Sequence, residues 1–198
     1  MVNKAAIEGE CYLNVSWPGD RTGGRMWVFG YGSLMADGWE AKFSCTQRVV
    51  AELVGYRRAF NKASVANWGT ATNPCPTLNL NQAADASCTG IAFEFPEDQR
   101  AEVETYLAKR EGKNFVLQEL QITPQGAAPV LVLALVPIYA GHNIIHTTTS
   151  EELASCIRQA NGKSGSCVEY VVGVYRQLEQ LGIDDPAVTQ VRALLQSP

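Results

Sequence analysis

Long hydrophobic runs are missing from this chain, and no stretch approaches the twenty or so apolar residues of a membrane-spanning helix, so an integral membrane protein is not expected. Concentrated positive charge is missing too. Sixteen Lys and Arg residues are outnumbered by twenty Asp and Glu, giving a net charge of −4 with no dense basic block, which argues against binding to nucleic acid or to an anionic membrane surface. Histidine is scarce, with only His142 and His146 in 198 residues. Their spacing of four suits helical zinc ligation, but Asn143-Ile144-Ile145 between them is not H-E-x-x-H and no third ligand stands out; a Ser-His catalytic arrangement is equally thin. Six cysteines, at 11, 45, 75, 88, 156 and 167, never form C-x-x-C and are widely scattered, which excludes a zinc ribbon and the dense framework of a small secreted domain. They are expected as mostly reduced thiols. Ahead of Trp17-Pro18 the only basic residue is Lys4 and there is no apolar core, so no secretory signal is expected. These absences point to a cytoplasmic protein whose partner is a small molecule or another protein.

What is present is organised around Trp27-Val28-Phe29-Gly30-Tyr31-Gly32-Ser33-Leu34, an apolar run that breaks into a glycine-containing turn. Val and Phe suit a pleated, half-buried strand, and the run is too short for a stable helix. Gly30 and Gly32 permit backbone angles closed to other residues and a close approach of a ligand to the main chain, so that successive N–H groups can converge as a concavity for an anion, a carboxylate being the expected guest. A plain strand-to-loop turn without a ligand is the other outcome of this pattern. With Met35 in place of a third glycine it is not the dinucleotide fingerprint, and Ser33 is not set in G-x-S-x-G.

Residues 1–25 end in Asp20-Arg21-Thr22-Gly23-Gly24-Arg25 and read as an extension before a single domain over 26–198, although Cys11-Tyr12-Leu13-Asn14-Val15 is also compatible with an edge strand. A chain of this length suits one domain with a proper core. Val49–Val54 followed by Gly55–Phe60 predicts a strand that continues past a glycine kink or bulge. Residues 61–76, rich in Asn, Gly, Thr and Pro, predict a loop. Thr77–Leu80 and Gly90–Phe95 predict two further strands, and Phe115–Ile122 another. Pro129–Tyr139, apolar on both faces, predicts a central strand. Ser150-Glu151-Glu152 caps a helix reaching Ala160 and ended by Asn161-Gly162; Lys163-Ser164 after it mimics the tail of a P-loop, but Ile157 stands where the first glycine belongs. Ser166 and Glu169 form a capping box for a helix ending at Gly182, and Asp185-Pro186 starts a last short one.

The clearest mid-chain helix is opened by Pro96, Glu97 and Asp98 and closed by Gly112. Val103, Tyr106 and Leu107 form its apolar stripe. At about 100° per residue, Glu111 projects only about 40° from Leu107, at the margin of the buried face. It also sits in the last turn, where the helix dipole disfavours an anion. Burial and dipole both raise its pKa, toward the range useful for proton transfer near neutral pH. A surface carboxylate paired with Lys or Arg is the other outcome of that spacing.

Several stretches together resemble the gamma-glutamyl cyclotransferase superfamily, most closely its ChaC-like branch, which acts on glutathione. The opening strand and turn are similar to Trp27–Leu34, a GYxRxF-type strand to Gly55-Tyr56-Arg57-Arg58-Ala59-Phe60, a YLxxRE helix end to Tyr106-Leu107-Ala108-Lys109-Arg110-Glu111, and a small-residue loop before E-Y to Asn161–Val171. The resemblance spans residues 26–183. It implies a mixed α/β (α+β) fold, a curved mixed sheet closing toward a small β-barrel with flanking helices. It implies that Tyr31, Gly32, Ser33 and Leu34 hold a gamma-glutamyl group, largely through backbone N–H groups, and that Glu111 is the acid/base. Glu102 matches a secondary acidic position, although nine residues place it on nearly the opposite side of the helix from Glu111. The implied reaction is attack of the substrate's own α-amine on its γ-carbonyl, releasing 5-oxoproline, with no cofactor and no metal. Glutathione is the favoured substrate, yielding Cys-Gly; gamma-glutamyl amines or amino acids, and a non-catalytic binding module, are the alternatives. Phe115 stands where ChaC-like proteins usually have Tyr, Met35-Ala36-Asp37 replaces the usual Ile-Trp, and residues 61–75 match poorly; these departures bear on glutathione specificity more than on reaction class.

Overall fold

The computed structural model describes residues 24–35, 37–112, 114–126, 130–147 and 149–196. Most of the expected extension, including the candidate strand at 11–15, lies outside the described residues. Its last member, Arg25, already belongs to the first strand, where it pairs with Pro96.

Five strands close into a barrel: β1 (Arg25–Gly30), β2 (Gln47–Ser64), β3 (Cys75–Pro96), β4 (Phe115–Pro124) and β5 (Val132–Tyr139). Their spatial order is β1-β3-β2-β4-β5, and the ring is closed by a short parallel contact of Trp27 with Ala134 and Val28 with Leu135. The other neighbours are antiparallel. Successive side chains on a strand face opposite sides, and the two cores follow from that alternation. All five strands contribute to one cluster, among them Phe29, Leu53, Ala92, Ile122 and Val136, which fills the barrel interior. Their outward neighbours, such as Val28 and Phe93, join a second cluster with Val103, Leu107, Ile157, Val171 and Val188 from the helices. Those helices are α1 (Arg100–Glu111), α2 (Ser150–Gln159), α3 (Cys167–Gln180) and α4 (Pro186–Gln196). A two-residue hairpin, β6 (Asn161–Gly162) with β7 (Gly165–Ser166), joins α2 to α3.

Several expectations are met, and others are corrected. The strand through Gly55 is a single element with a register shift between Val54 and Tyr56, and Gly55 has a φ of 83° that favours glycine. The two strands expected at 77–80 and 90–95 are one strand of 22 residues. The polar stretch that seems to separate them is a bulge: Val54 pairs with Ser87 and Tyr56 with Gln82, so Ala83, Ala84, Asp85 and Ala86 stand opposite Gly55 alone. The expected loop at 61–76 is shorter, because β2 runs on to Ser64 and β3 begins at Cys75. On β5, Ala134, Leu135 and Val136 are buried but Leu133 is 55% exposed, so the strand is not covered on both faces throughout. Helix α1 ends at Gly112 as expected, and Ser166 with Glu169 forms the expected capping box. For α2 the cap is Thr149, which closes a capping box with Glu152, and not Ser150.

The cysteine expectation fails for one pair. Cys75, at the start of β3, is disulfide-bonded to Cys167, the first residue of α3, 92 positions further along the chain, with Cα atoms 5.5 Å apart. Cys45, Cys88 and Cys156 are free. No spacing rule joins positions so distant; the β6–β7 hairpin delivers α3 to the start of β3. Peptide mapping without reductant is expected to recover the two cysteines in one linked species. Cys167→Ala is expected to lower the unfolding free energy by about 2–5 kcal/mol, seen as a lower urea midpoint under non-reducing conditions.

Candidate functional site

The turn after β1 and the end of α1 meet at one hollow of about 300 Å³, at the low end of the range for small-molecule sites. Tyr31, Gly32, Ser33 and Leu34 line one side of it, and Glu111 another. The turn is built by a short 3-10 helix, Ser33–Met35, closed by the Met35 N–H donating to the Gly32 carbonyl at 2.9 Å.

Of the two freedoms that glycine permits here, neither Gly30 nor Gly32 uses a positive φ. Gly30 is required for close packing instead, since a Cβ there would lie 3.0 Å from Leu34 Cβ and 3.2 Å from its carbonyl carbon. At Gly32 the nearest atom to such a Cβ, Leu78 Cδ1, is 3.8 Å away, an ordinary contact, so what matters there is an open main chain.

The carbonyls of the turn are held from behind. Arg58 Nε donates to the Tyr31 oxygen at 2.7 Å, Trp39 Nε1 to the Leu34 oxygen at 3.0 Å, and Arg48 Nη2 to the Met35 oxygen at 2.7 Å. The leading N–H groups of a helical turn have no intrahelical partners. With the carbonyls engaged from the protein side, those N–H groups are the side of the turn left for a ligand.

Arg58 is the anchor of this arrangement. Its side chain is 0% exposed and also donates to the Thr89 carbonyl at 2.6 Å and to Asp185 Oδ2 at 2.7 Å. Asp185 in turn accepts from the Val188 N–H at the start of α4, at 3.1 Å.

Glu111 is 17% exposed at its side chain. Burial raises its pKa, while Arg110 and Lys62 pull it back and Asp37 adds to the rise. Burial is thus the leading cause at this residue, ahead of any charge. Arg110 bridges the two halves of the hollow: Nε donates to Glu111 Oε1 at 3.2 Å and Nη2 to Ser33 Oγ at 3.3 Å, while Nη1 is ion-paired with Asp37. Two tyrosines complete the walls. Tyr31 donates to the Pro137 carbonyl at 2.8 Å, and burial pushes its hydroxyl well above the usual range. Tyr170 accepts from the Leu78 N–H at 3.0 Å, and burial pushes its hydroxyl up to about 12, so it stays protonated and keeps a hydrogen to donate.

The hollow therefore gathers Tyr31, Gly32, Ser33, Leu34 and Glu111, as expected. It does not gather Glu102, which is exposed in the first turn of α1. Among the described residues no group of three or more His, Cys, Asp or Glu could hold a metal ion, and no helix is long and apolar enough to cross a membrane. Sequence reasoning did not single out Arg58, Lys62, Trp68, Arg110 or Tyr170. Arg58, Arg110 and Tyr170 lie inside motifs that were recognised, so a signal for them existed. Lys62 and Trp68 lie in the stretch read as loop, where no local pattern marks them. Arg58→Met is expected to cost about 3–5 kcal/mol of stability, since it leaves Asp185 buried without its cation, and Arg58→Lys to recover only part, because an ammonium lacks the guanidinium fork; urea titrations of both variants read this.

A family model described as ChaC-like protein matches residues 26–197. The chain is 30% identical over 182 residues to gamma-glutamylcyclotransferase 2-3 of Arabidopsis thaliana, covering 86% of this chain and 90% of that one. It is 30% identical over 176 residues to glutathione-specific gamma-glutamylcyclotransferase 1 of Danio rerio, covering 86% and 88%. Its fold is similar to that of a crystal structure of a glutathione-specific gamma-glutamyl cyclotransferase from yeast, with a TM-score of 0.74 at 22% identity, over 87% of this chain and 96% of that one.

Proposed function

The chain belongs to the ChaC-like family, and from that premise we propose that it is a gamma-glutamyl cyclotransferase with glutathione as the favoured substrate, releasing 5-oxoproline and Cys-Gly. The observation that carries this reading is the shared hollow, in which a partly buried carboxyl group with a raised pKa lies across from a backbone turn suited to a carboxylate.

In this reading the N–H groups of the turn at Gly32, Ser33 and Leu34 take the α-carboxylate of the gamma-glutamyl group, and Tyr31 packs against it. The α-nitrogen is then held near the γ-carbonyl, and because both belong to one molecule the gain from orientation needs no second reactant. Glu111 removes a proton from the α-ammonium, and the freed amine attacks the γ-carbon. As the amide bond to the leaving amine breaks, a five-membered lactam remains. Two protons leave the attacking nitrogen on the way to the lactam and the departing amine collects both, so Glu111 begins and ends as a carboxylate and no water is consumed. A carboxylate whose pKa is raised by burial is a stronger base than one in water and can still return the proton. Tyr170, whose hydroxyl hydrogen has no acceptor among the described residues, is suited to stabilise the oxygen that becomes negative in the tetrahedral intermediate.

The cytoplasm is the natural place for this activity, since glutathione is the thiol buffer there. Cys75 and Cys167 are fully buried, which shields their bond from thiol attack.

Release of 5-oxoproline from a panel of glutathione, gamma-glutamyl amino acids and gamma-glutamyl amines tests the reading, with glutathione expected to give the highest kcat/KM. Silence across the panel would favour a binding module. Glu111→Gln is expected to keep the fold and ligand binding while lowering kcat by at least about a hundredfold; undiminished turnover would remove Glu111 from the mechanism. The acidic limb of the kcat/KM profile is expected above the ordinary carboxylate range, because the base must be ionised. Arg110→Gln is expected to move that limb to still higher pH, since it removes a cation that favours the ionised form.

A further inference from the structure

Lys62 is the charged residue of the hollow for which the reaction above has no use. It stands on β2 just past an irregularity in the β2–β3 ladder between Phe60 and Lys62, and its side chain reaches into the hollow. Its Nζ lies 5.2 Å from the ring centroid of Phe115 and 5.6 Å from that of Tyr139, two rings that pack edge-on at 5.3 Å. Among the described residues no carboxylate lies within ion-pair distance of this ammonium. Arg110, the other cation of the hollow, is already committed to Asp37, Glu111 and Ser33. Lys62 therefore offers a half-buried positive charge, steadied over aromatic faces, with its donors directed at no anion among the described residues.

We propose that Lys62 is a specificity-determining residue that binds a second carboxylate of the substrate, the one at the C-terminus of the amine-side peptide, and so selects gamma-glutamyl peptides with a free C-terminus over gamma-glutamyl amines. The proposal rests on the cyclotransferase reading of the same hollow and deepens it. A gamma-glutamyl peptide brings two carboxylates. The turn after β1 can satisfy one of them. The other cannot enter a partly desolvated hollow without a cationic partner except at a substantial cost. Lys62, with three donors, is the group placed to meet it. Burial lowers the pKa of Lys62 and the nearby Glu111 raises it; an incoming carboxylate would restore the ion's full stability. A gamma-glutamyl amine without a carboxylate leaves Lys62 desolvated and unpaired, so it is disfavoured for the same reason.

The test compares glutathione with its C-terminal carboxamide, which differs only in that charge. In the unmodified protein kcat/KM for the acid is expected to exceed that for the amide by about tenfold or more, the size of a charge-assisted hydrogen bond, and mostly through KM. Lys62→Met, which keeps the packing on Phe115 and Tyr139, is expected to collapse that ratio toward one, and Lys62→Arg to retain it. Equal handling of acid and amide by the unmodified protein would overturn the proposal. So would a Lys62→Met variant that loses both substrates in proportion, the outcome expected if Lys62 only braces the aromatic pair or serves the proton transfer. Calorimetric titration of the same two ligands into Glu111→Gln protein, with and without Lys62→Met, reads the preference as a ratio of Kd values without turnover. A protein that releases no 5-oxoproline but still binds the acid through Lys62 would sink the cyclotransferase reading and keep this one.

Discussion

A buried guanidinium holds the working parts of this molecule together. Arg58 has surrendered its hydration completely, and the acceptors that replace it come from three different pieces of chain: the turn after β1, strand β3, and the residue that caps α4. A charge so placed is stable only while all of its donors are met, so the turn cannot relax without stranding it. That constraint carries the last helix of the chain into the geometry of the first loop. Residues separated by 127 positions are bonded to each other, and the ligand-facing edge of the turn depends on both.

Around the hollow the electrostatics are a contest between desolvation and charge. Burial is what raises the Glu111 carboxyl, and it also lowers the Lys62 ammonium. The two groups partly relieve each other. Arg110 adds a third charge, but Asp37 and Ser33 engage it, so it cannot swing onto Glu111 as a simple bidentate pair that would abolish its basicity. A carboxylate kept basic needs this kind of incomplete compensation: too little cation nearby and it would not ionise, too much and it would not accept a proton.

The barrel also accounts for the errors of sequence reading. Residues 81–87, small or polar throughout, look like a break between strands because local preference is weak there, yet the ladder with β2 on either side carries the chain through and absorbs the surplus as a bulge. Gly30 and Gly32 suggest unusual backbone angles, but glycine has a second use: it lets main chains lie close, and at Gly30 that use applies. The disulfide was invisible for a related reason. Spacing rules describe neighbours, and Cys75 and Cys167 become neighbours only after the sheet and α3 have assembled.

From its residues alone, this chain determined the elements with strong local patterns: the strand into the turn at 27–34, the helix closed by Gly112, the capping box at Ser166, and Glu111 at the edge of a buried face. These follow from periodicity and capping, which act within a few residues. The motifs that resemble a known family extended this to the barrel and to the pairing of turn with carboxyl group. The tertiary structure alone decided which side chains share the hollow, that Arg58 and Asp185 form a buried pair, that Glu102 stays in solvent, and that Lys62 has no ion-paired carboxylate among the described residues. Burial and pairing are properties of surfaces brought together from distant parts of the chain, and the sequence does not display them until the barrel closes.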